Sequence, residues 1–306
     1  MIYSLDSGGS TLDIVKWTSP PKKTSSKQIG KYLGSHEITS DKLQLSELKK
    51  IIPNLKDDDQ IIVTGGKTKF WQTMNQSSNI IKINELPAIG YGGYDWDFFK
   101  GDKGVVVSMG TGTCIVGVSP AASPIKSKIT KFNNTIQSPL KIKHLGGTGI
   151  GGGTFLALCK EMLQVTEINE IINLFNKGDL KNVDLTVADI IGKGIGKIPG
   201  DKTAANLGKI ARSHHYSKKD LAAGIINLIA QSIGTCAVMA ARYHGANKIT
   251  LVGKLTQIEQ ICNLIAETAK IYGIKTKTPK YAPWAIALGA GKSHLAQSRL
   301  ARLKKS

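Results

Sequence analysis

The sequence predicts an α/β fold organised as two related lobes around a cleft. Short apolar runs typical of strands precede helical patterns repeatedly along the chain. A strand, a glycine-containing turn and a second strand occur near residue 8 and again near residue 110. Two lobes of similar construction would produce this repetition. The 306 residues are enough for one large domain or for two of ordinary size.

The first third of the chain is predicted to consist mainly of strands. Short apolar segments predict a strand in each of "IYSLD", "LDIVKW", "QIIVTGG" and "NIIKINE". The Pro-led stretch "PPKKTSSKQIGKY" predicts a polar loop or hairpin tip. Helical spacing in "DKLQLSELKKIIPNL" predicts a helix that ends near Pro53, and Pro87 suits the first turn of a second helix.

The remaining two thirds combine strands with longer helices. "KGVVVSMGTGTCIVGVS" predicts two strands joined by a Gly/Thr turn, and the polar segment 120–140 predicts a long hairpin insertion. "KITLVGKL" predicts a strand followed by a glycine turn. Gly245 is expected to end the longest helix. The predicted helices lie in "FLALCKEMLQV", "LAAGIINLIAQSIGTCAVMAARYH", "ICNLIAETAKIYG" and "AIALGAGKSHLAQSRLA".

Composition limits the classes of partner. The formal net charge is +19, but the lysines are scattered and lack a nucleic-acid-binding signature, so a solvated lysine-rich surface is favoured over nucleic acid binding. Neither a signal peptide nor a run of about 18 apolar residues is present, which favours a cytoplasmic protein that does not bind membranes. The four cysteines show no metal-binding spacing and are interpreted as reduced core residues.

Three glycine-rich turns are candidate phosphate sites, because backbone N–H groups in a turn or at a helix N-terminus bind phosphate. They are "DSGGST", "SMGTGT" and "GGTGIGGGT", each beside a strand end or a helix start. The third lies within residues 143–155, which hold six glycines in thirteen positions. Asp6, at the end of the first strand, is a candidate to hold Mg²⁺ through water.

Two other nucleotide-binding motifs do not fit. "TGGKTKF" contains GKT, but Ile61 stands where a Walker A loop needs its first glycine. "GTGIGG" matches GxGxxG, yet no acidic residue follows at a second strand end about 20 positions later, so a dinucleotide site is not favoured.

Six segments resemble, in their order, the motifs of the type II (eukaryotic-like) pantothenate kinases of the actin/sugar kinase/Hsp70 ATPase superfamily. The resemblance runs from about residue 2 to residue 292, and its most specific parts are "GGTGIGGGTF" and "GDKTAAN". The segments are "LDSGGST", "VTGG", "NELPAIGYG", "VSMGTGT", "HLGGTGIGGGTFLAL" and "IPGDKTAANLGKI".

The resemblance implies an architecture and an activity. It implies two RNase H-like (actin-like ATPase) lobes around a nucleotide cleft, over residues 1–103 and 104–284, with a helix over about 285–306 packing back on the first lobe. It implies ATP and Mg²⁺ as cofactors and ATP-dependent phosphorylation of pantothenate, the first step of coenzyme A biosynthesis. It also implies a homodimer and coenzyme A or acyl-CoA as a feedback ligand.

The resemblance further implies residue roles. Glu85 corresponds to the catalytic base, and a carboxylate at a strand end before a Pro-led helix can accept the proton of an attacking alcohol. The alternative is that Glu85 only caps that helix. Asp6 is expected to order the transferred phosphate and to hold the metal. The implied ATP and phosphate contacts are Gly8, Gly9, Ser10, Gly110, Thr111, Gly112, Thr113, Gly151, Gly152, Gly153 and Gly253.

Two positions depart from the family pattern. Asp13 stands where the family has a basic residue, and it is interpreted as a metal ligand or a turn residue. His144 stands in place of an arginine that anchors the acceptor, although histidine grips a carboxylate less reliably at neutral pH. The alternative is that His144 is a structural histidine that closes the hairpin. Asp201 is expected to cap a helix that starts at Thr203. The candidate acceptor contacts are Thr111, Cys114, His144, Asp201 and Asn206.

Three alternatives to pantothenate phosphorylation stay open. One is a kinase of another hydroxyl or pantoyl substrate such as pantetheine. Another is a catalytically impaired sensor of the same fold that binds nucleotide or coenzyme A. The third is an ATPase activator of the dehydratase type, which would need a shared iron–sulfur cluster. The cysteines available for such a cluster are Cys114, Cys159, Cys236 and Cys262.

Overall fold

A computed structural model of the chain contains the predicted α/β fold. The described strands are β1 (Ile2–Ser7), β2 (Thr11–Trp17), β3 (Lys31–Glu37), β4 (Gln60–Thr64), β5 (Ile80–Lys82), β6 (Gly104–Met109), β7 (Thr113–Pro120), β8 (Leu140–Thr148), β9 (Leu185–Thr186), β10 (Thr203–Ala205), β11 (Lys248–Val252) and β12 (Lys275–Lys277). The structure describes residues 1–8, 11–17, 31–37, 45–52, 54–66, 79–121, 139–212 and 215–303.

Helices pack on the sheets formed by these strands. A π-helical turn (Cys159–Leu163) continues α4, and short 3₁₀ turns follow at Leu180–Asn182, Lys254–Gln257 and Ala282–Trp284. The described α-helices are α1 (Leu45–Ile51), α2 (Glu85–Gly93), α3 (Trp96–Phe99), α4 (Gly152–Leu158), α5 (Ile168–Phe175), α6 (Val187–Ile191), α7 (Lys218–His244), α8 (Glu259–Ile271) and α9 (Ala285–Leu303).

Two five-stranded sheets share one topology. The first has the order β3-β2-β1-β4-β5, and the second has the order β8-β7-β6-β11-β12. In each sheet the central strand and the two strands that follow it in the chain (β1-β2-β3 and β6-β7-β8) pair antiparallel in succession, and the other two strands are parallel to the central strand. Strand β1 therefore corresponds to β6, and β4 corresponds to β11. This equivalence explains the repetition seen in the sequence and confirms that the fold has two related halves.

Each sheet has its own apolar core. Leu5, Leu12 and Val63 of the first sheet pack with Leu48 of α1, because alternating apolar residues of these strands face one side. On the second sheet, apolar residues of β6 and β11 pack against α7 and α8. Helix α2 packs against α9 and the second sheet, and α9 also contacts β1, β2 and β4. The division into lobes at residues 103 and 284 stays a prediction.

Helix α7 is the central helix of the second core. It begins at a capping box in which Ser217 and Asp220 bond reciprocally to backbone amides, and it ends at Gly245, whose φ is 68°. By length and apolar composition it could cross a membrane, but 72% of its most apolar window is buried inside the fold. This burial is what a core helix requires.

Most predicted elements are confirmed, and the errors are local. The predicted helix from Thr203 is wrong, because Thr203–Ala205 forms strand β10, paired with β9. The predicted polar loop through residue 32 overlaps strand β3. The insertion between β7 and β8 is a hairpin at its base, where Pro120 pairs with Leu140, and residues 122–138 lie outside the described part.

Candidate active site

The candidate active site lies where the two equivalent halves face each other. Asp6 lies near the end of β1, opposite Asp13 of β2 and Thr64 of β4 in the strand register. Met109 ends the equivalent strand β6. The residues after these strands are the glycine turns predicted from the sequence, so the topology brings two of the three turns to corresponding strand ends.

The carboxyl group of Asp6 is in an unusual environment. Although the residue keeps some exposed surface, its carboxyl is enclosed by protein, and this burial raises the pKa of Asp6 to about 8. The negative charges of Asp13 and Glu85 add to the increase, and the positive charge of Lys254 opposes it. Asp6 therefore lies in a negative field that an added cation would relieve.

Glu85 is the first residue of α2 and is exposed. Helix α2 has Asn84 as its N-cap residue, so Glu85 does not occupy the capping position. Its charge acts on Asp6 and also on Cys114 of β7, where burial first and Glu85 second raise the thiol pKa to about 11. The predicted base, the predicted phosphate-ordering acid and one predicted acceptor contact are thus brought together.

Asp13 is neither a turn residue nor free. It lies within β2 with its side chain 4% exposed, and its Oδ1 atom is 2.5 Å from Nζ of Lys254. The hydroxyl of Tyr32 donates a hydrogen bond to the same carboxylate at 3.0 Å. Lys254 belongs to the turn after β11, so this ion pair joins the first sheet to the second. No motif in the sequence marks Lys254 as a residue of this site.

The second and third glycine turns pack against each other. The backbone N–H groups of Gly152 and Gly153 donate to the carbonyl oxygens of Gly110 and Thr111 at 2.8 and 2.9 Å. A Cβ atom on Gly151 would lie 2.7 Å from the Cα of Gly112. These glycines therefore permit close contact between the turns, and α4 begins at them as predicted.

Further contacts fix the same pair of turns. The hydroxyl of Thr113 donates to the carbonyl of Ile150 at 2.8 Å, which ties the end of one turn to the other. Thr111 is exposed, whereas Thr113 is buried. The assignment of residues 110–113 and 151–153 as nucleotide contacts stays a prediction.

The first glycine turn is described only in part. The N–H of Gly8 donates to the carbonyl of Thr11 at 3.0 Å and closes the turn between β1 and β2. Gly9 and Ser10, both predicted phosphate contacts, lie outside the described residues.

The strand register places His144 on the face that points toward α2. His144 of β8 is paired with Val116, and Val118 is paired with Ile142. Side chains directly opposite each other in an antiparallel pair point to the same face. Val116 and Ile142 pack in the core that includes α2, so the exposed His144 ring is on that side of the sheet. Cys114 also borders this core.

Asp201 and Asn206 belong to a different part of the fold. They flank β10, in the small sheet formed with β9. Asp201 is exposed, and the Nδ2 atom of Asn206 is buried without a hydrogen-bond partner in the described structure. Their predicted contact with the acceptor stays a prediction.

A buried carboxylate shapes the segment that bears these two residues. Asp184 accepts hydrogen bonds from the Thr203 hydroxyl at 2.8 Å, from Nδ2 of Asn227 at 2.8 Å and from the N–H of Leu207 at 2.7 Å. Leu207 has a φ of 56°. These bonds fix Thr203 in strand β10 and Leu207 in the turn that follows it, which is why the predicted helix does not form.

The surroundings of Asp6 fit a magnesium ion. Mg²⁺ binds through one or two carboxylates and completes its coordination with water and phosphate oxygens. Asp6 would supply the carboxylate, and the ion would offset charge on a transferred phosphoryl group. Within the described ranges, no group of three acidic, histidine or cysteine side chains forms a protein-only metal site.

Comparison with known proteins identifies relatives. A model of the family described as Fumble matches residues 134–290. The type II pantothenate kinase of Bacillus thuringiensis subsp. konkukian is 28% identical over 257 residues, which is 79% of this chain and 83% of that protein. The 4'-phosphopantetheine phosphatase of Mus musculus is 30% identical over 122 residues, which is 39% of this chain and 15% of that protein.

Solved structures share the fold at low sequence identity. The activator of 2-hydroxyisocaproyl-CoA dehydratase from Clostridium difficile with bound ADPNP is 15% identical, with a TM-score of 0.56, over 99% of this chain and 97% of that one. A ROK family glucokinase from Streptomyces griseus in complex with glucose and AMPPNP is 11% identical, with a TM-score of 0.54, over 97% and 99% of the two chains. These likenesses confirm the actin-like ATPase fold. Because the family model covers half of its residues, the chain belongs to the Fumble family, the family of the type II pantothenate kinases.

Proposed function

We propose that this protein, an ATP-dependent kinase, transfers the γ-phosphate of ATP to the primary hydroxyl of pantothenate and so forms 4'-phosphopantothenate. In this reaction the hydroxyl oxygen attacks the γ-phosphorus, the bond to the β,γ-bridging oxygen breaks and ADP leaves. The hydroxyl proton passes to a base. Positioning and charge neutralisation supply most of the catalysis in phosphoryl transfer.

The observation that carries the proposal is the position of Glu85. Its carboxylate starts α2, is exposed and acts electrostatically on both Asp6 and Cys114. An exposed carboxylate that is not an N-cap and lies near a second acid is suited to accept a proton from an attacking alcohol. Asp6 would order the phosphate with Mg²⁺, and Glu85 would act on the acceptor.

The choice of pantothenate is supported by the relatives. The family model spans half of the chain, and the Bacillus relative named type II pantothenate kinase aligns over 79% of it. A homodimer and feedback by coenzyme A or acyl-CoA belong to the same proposal and rest on the resemblance alone. The cytoplasmic location expected from the sequence stays a prediction.

The experiment is an acceptor panel analysed by mass spectrometry. Purified protein is incubated with ATP, Mg²⁺ and pantothenate, pantetheine or pantoate, beside Glu85→Gln and Glu259→Gln. Glu259 is the matched control, because it is the first residue of α8 and is also exposed. We expect phosphopantothenate from the wild type and from Glu259→Gln. We expect the kcat of Glu85→Gln to be lower by about 100- to 10,000-fold, which is the usual contribution of a positioned general base.

Two outcomes would contradict parts of the proposal. Equal turnover by Glu85→Gln and Glu259→Gln would mean that Glu85 only stabilises its helix. A wild type that binds ATP but phosphorylates none of the three acceptors would overturn pantothenate as the substrate and favour the sensor.

A second candidate function is phosphorylation of another pantoyl compound. The observation that favours it is His144, because this residue faces the side of α2 where an arginine is expected from the resemblance. Pantetheine has no carboxylate and does not need an arginine. Faster turnover of pantetheine than of pantothenate in the same panel would favour this candidate.

A further inference from the structure

We propose that Lys254 is a phosphate-binding residue of the ATP site, held in place by Asp13 and Ser35 of the opposite sheet. The proposal rests on the proposed kinase function, because it names a residue that would bind the nucleotide of that reaction. It assigns to the Asp13–Lys254 pair a part in ligand binding in addition to a structural one.

The backbone before Lys254 is fixed beside a glycine turn. Gly253 has a φ of 97°, and a Cβ atom there would lie 2.5 Å from the carbonyl oxygen of Met109. The N–H of Gly253 donates to the carbonyl of Ala282 at 2.8 Å, and the hydroxyl of Thr256 donates back to the carbonyl of Gly253 at 2.6 Å. Because Met109 directly precedes the 110–113 turn, the backbone at Lys254 is held next to a predicted phosphate site.

The Lys254 side chain then extends to the first sheet. Its Nζ atom lies 2.5 Å from Oδ1 of Asp13 and 3.0 Å from Oγ of Ser35. An ammonium group has three donors, so within the described part of the chain these two bonds leave one donor for a ligand. The side chain is 31% exposed, which leaves it accessible to a ligand. Asp13 and Ser35 thus orient the ammonium group.

The negative charges around Asp6 would repel a polyphosphate unless a cation offsets them. A polyphosphate that approached Asp6 would meet the charges of Asp13 and Glu85 as well. Among the residues that the structure describes, Lys254 is the cation that acts on Asp6. A lysine that neutralises Asp13 and keeps one donor free reduces the repulsion and adds a charge-assisted bond to phosphate.

A purely structural role makes a different prediction. If Lys254 only joined the two sheets, its loss would weaken binding of every ligand that needs a closed site, whatever the ligand's charge. If Lys254 binds phosphate, the loss depends on the ligand's phosphates. Comparison of ATP with adenosine therefore separates the two roles.

The test measures affinity for ATP and for adenosine by titration calorimetry in the full chain. The variants are Lys254→Met, Lys254→Arg and the control Lys49→Met, which removes an exposed lysine paired with Asp57 in the first half of the chain. Removal of a hydrogen bond to a charged group lowers affinity by about ten- to a hundredfold. We expect this decrease in ATP affinity for Lys254→Met. Adenosine affinity should stay within about twofold, and Lys254→Arg should restore part of the ATP affinity.

Three outcomes would overturn the inference. ATP affinity of Lys254→Met equal to that of Lys49→Met would show that Lys254 does not bind phosphate. An equal loss for ATP and adenosine would assign the residue a structural role. A wild type that binds no adenine nucleotide would overturn the kinase proposal and this inference with it, whereas the first two outcomes leave the kinase proposal standing.

Discussion

Gly65 and Gly253 occupy equivalent positions in the two halves of the fold, because each directly follows the strand that pairs in parallel with the central strand. Their φ angles are 101° and 97°. A Cβ atom on Gly65 would lie 2.3 Å from the carbonyl oxygen of Ser7, and one on Gly253 would lie 2.5 Å from that of Met109. Both glycines thus let a turn approach the end of the neighbouring strand, beside the candidate phosphate sites.

Gly65→Ala should destabilise the protein. Alanine would be strained at this φ, and its Cβ would also lie 2.7 Å from Oδ1 of Asp6. The left-handed backbone alone costs about 1–2 kcal/mol for a residue with a Cβ, and overpacking adds about 1–3 kcal/mol. Gly66→Ala is the matched control, because no atom of the described residues lies within 4 Å of a Cβ there. Equal unfolding free energies of the two variants in urea would contradict the prediction.

Much of the fold was predictable because it depends on local patterns. Strands β1 and β6 end at glycine turns and strands β2 and β7 begin after them, and these signals lie within a few residues of one another. Strands β9 and β10 were missed because they are only two and three residues long. Thr203 was misassigned to a helix because its partner Asp184 is 19 residues away in sequence and is found only in the fold.

The candidate site was predictable where a motif marks it. Asp6 lies near the end of β1 before a glycine turn, and Glu85 starts α2 two residues before Pro87, so sequence signals identify both. Lys254 has no such signal, since it is 241 residues from Asp13 and resembles the many surface lysines of this chain. The raised pKa of Asp6 also depends on charges from three separate segments, which the sequence does not place together.

Asp184→Ala should lower the unfolding free energy and disturb the segment around β10. Asp184 is buried and accepts bonds from Thr203, Asn227 and the backbone of Leu207. Each buried donor left without a partner costs about 1–3 kcal/mol, so the total loss should reach several kcal/mol. Asp58→Ala, at an exposed turn, serves as the control in thermal and urea unfolding. A loss below that of a typical surface substitution would mean that these donors find other partners.

His144→Ala should affect the acceptor and spare the nucleotide. The ring lies on the face of the second sheet that points toward α2, on the side of Cys114 and Val116. We expect KM for the acceptor to rise about tenfold or more, which corresponds to the loss of roughly 1.4 kcal/mol of binding, while KM for ATP stays unchanged. Lys143→Ala is the matched control, because its Nζ atom contacts Tyr243 on α7. Equal acceptor KM values for the two variants would place His144 outside the acceptor site.

Asp6 should make the stability of the ligand-free protein fall as pH rises. Its folded-state pKa is about 8, raised from the ordinary 3.8 first by burial and then by Asp13 and Glu85. Between these two values the folded state binds more protons at this group than the unfolded state, so the unfolding free energy decreases with increasing pH. The contribution is most favourable below about pH 4 and is lost as pH rises through the folded-state pKa near 8.

Asp6→Asn removes this titration and provides the measurement. The unfolding free energy of Asp6→Asn, relative to that of the wild type, should increase steadily between about pH 5 and about pH 8. Urea unfolding at each pH, without Mg²⁺ or nucleotide, measures this difference. Asp13→Asn should weaken the effect, because the charge of Asp13 is one of the causes that raise the pKa of Asp6. A difference between Asp6→Asn and the wild type that stays constant over this range would mean that Asp6 is ionised throughout, and that the negative field around it is already balanced by cations such as Lys254.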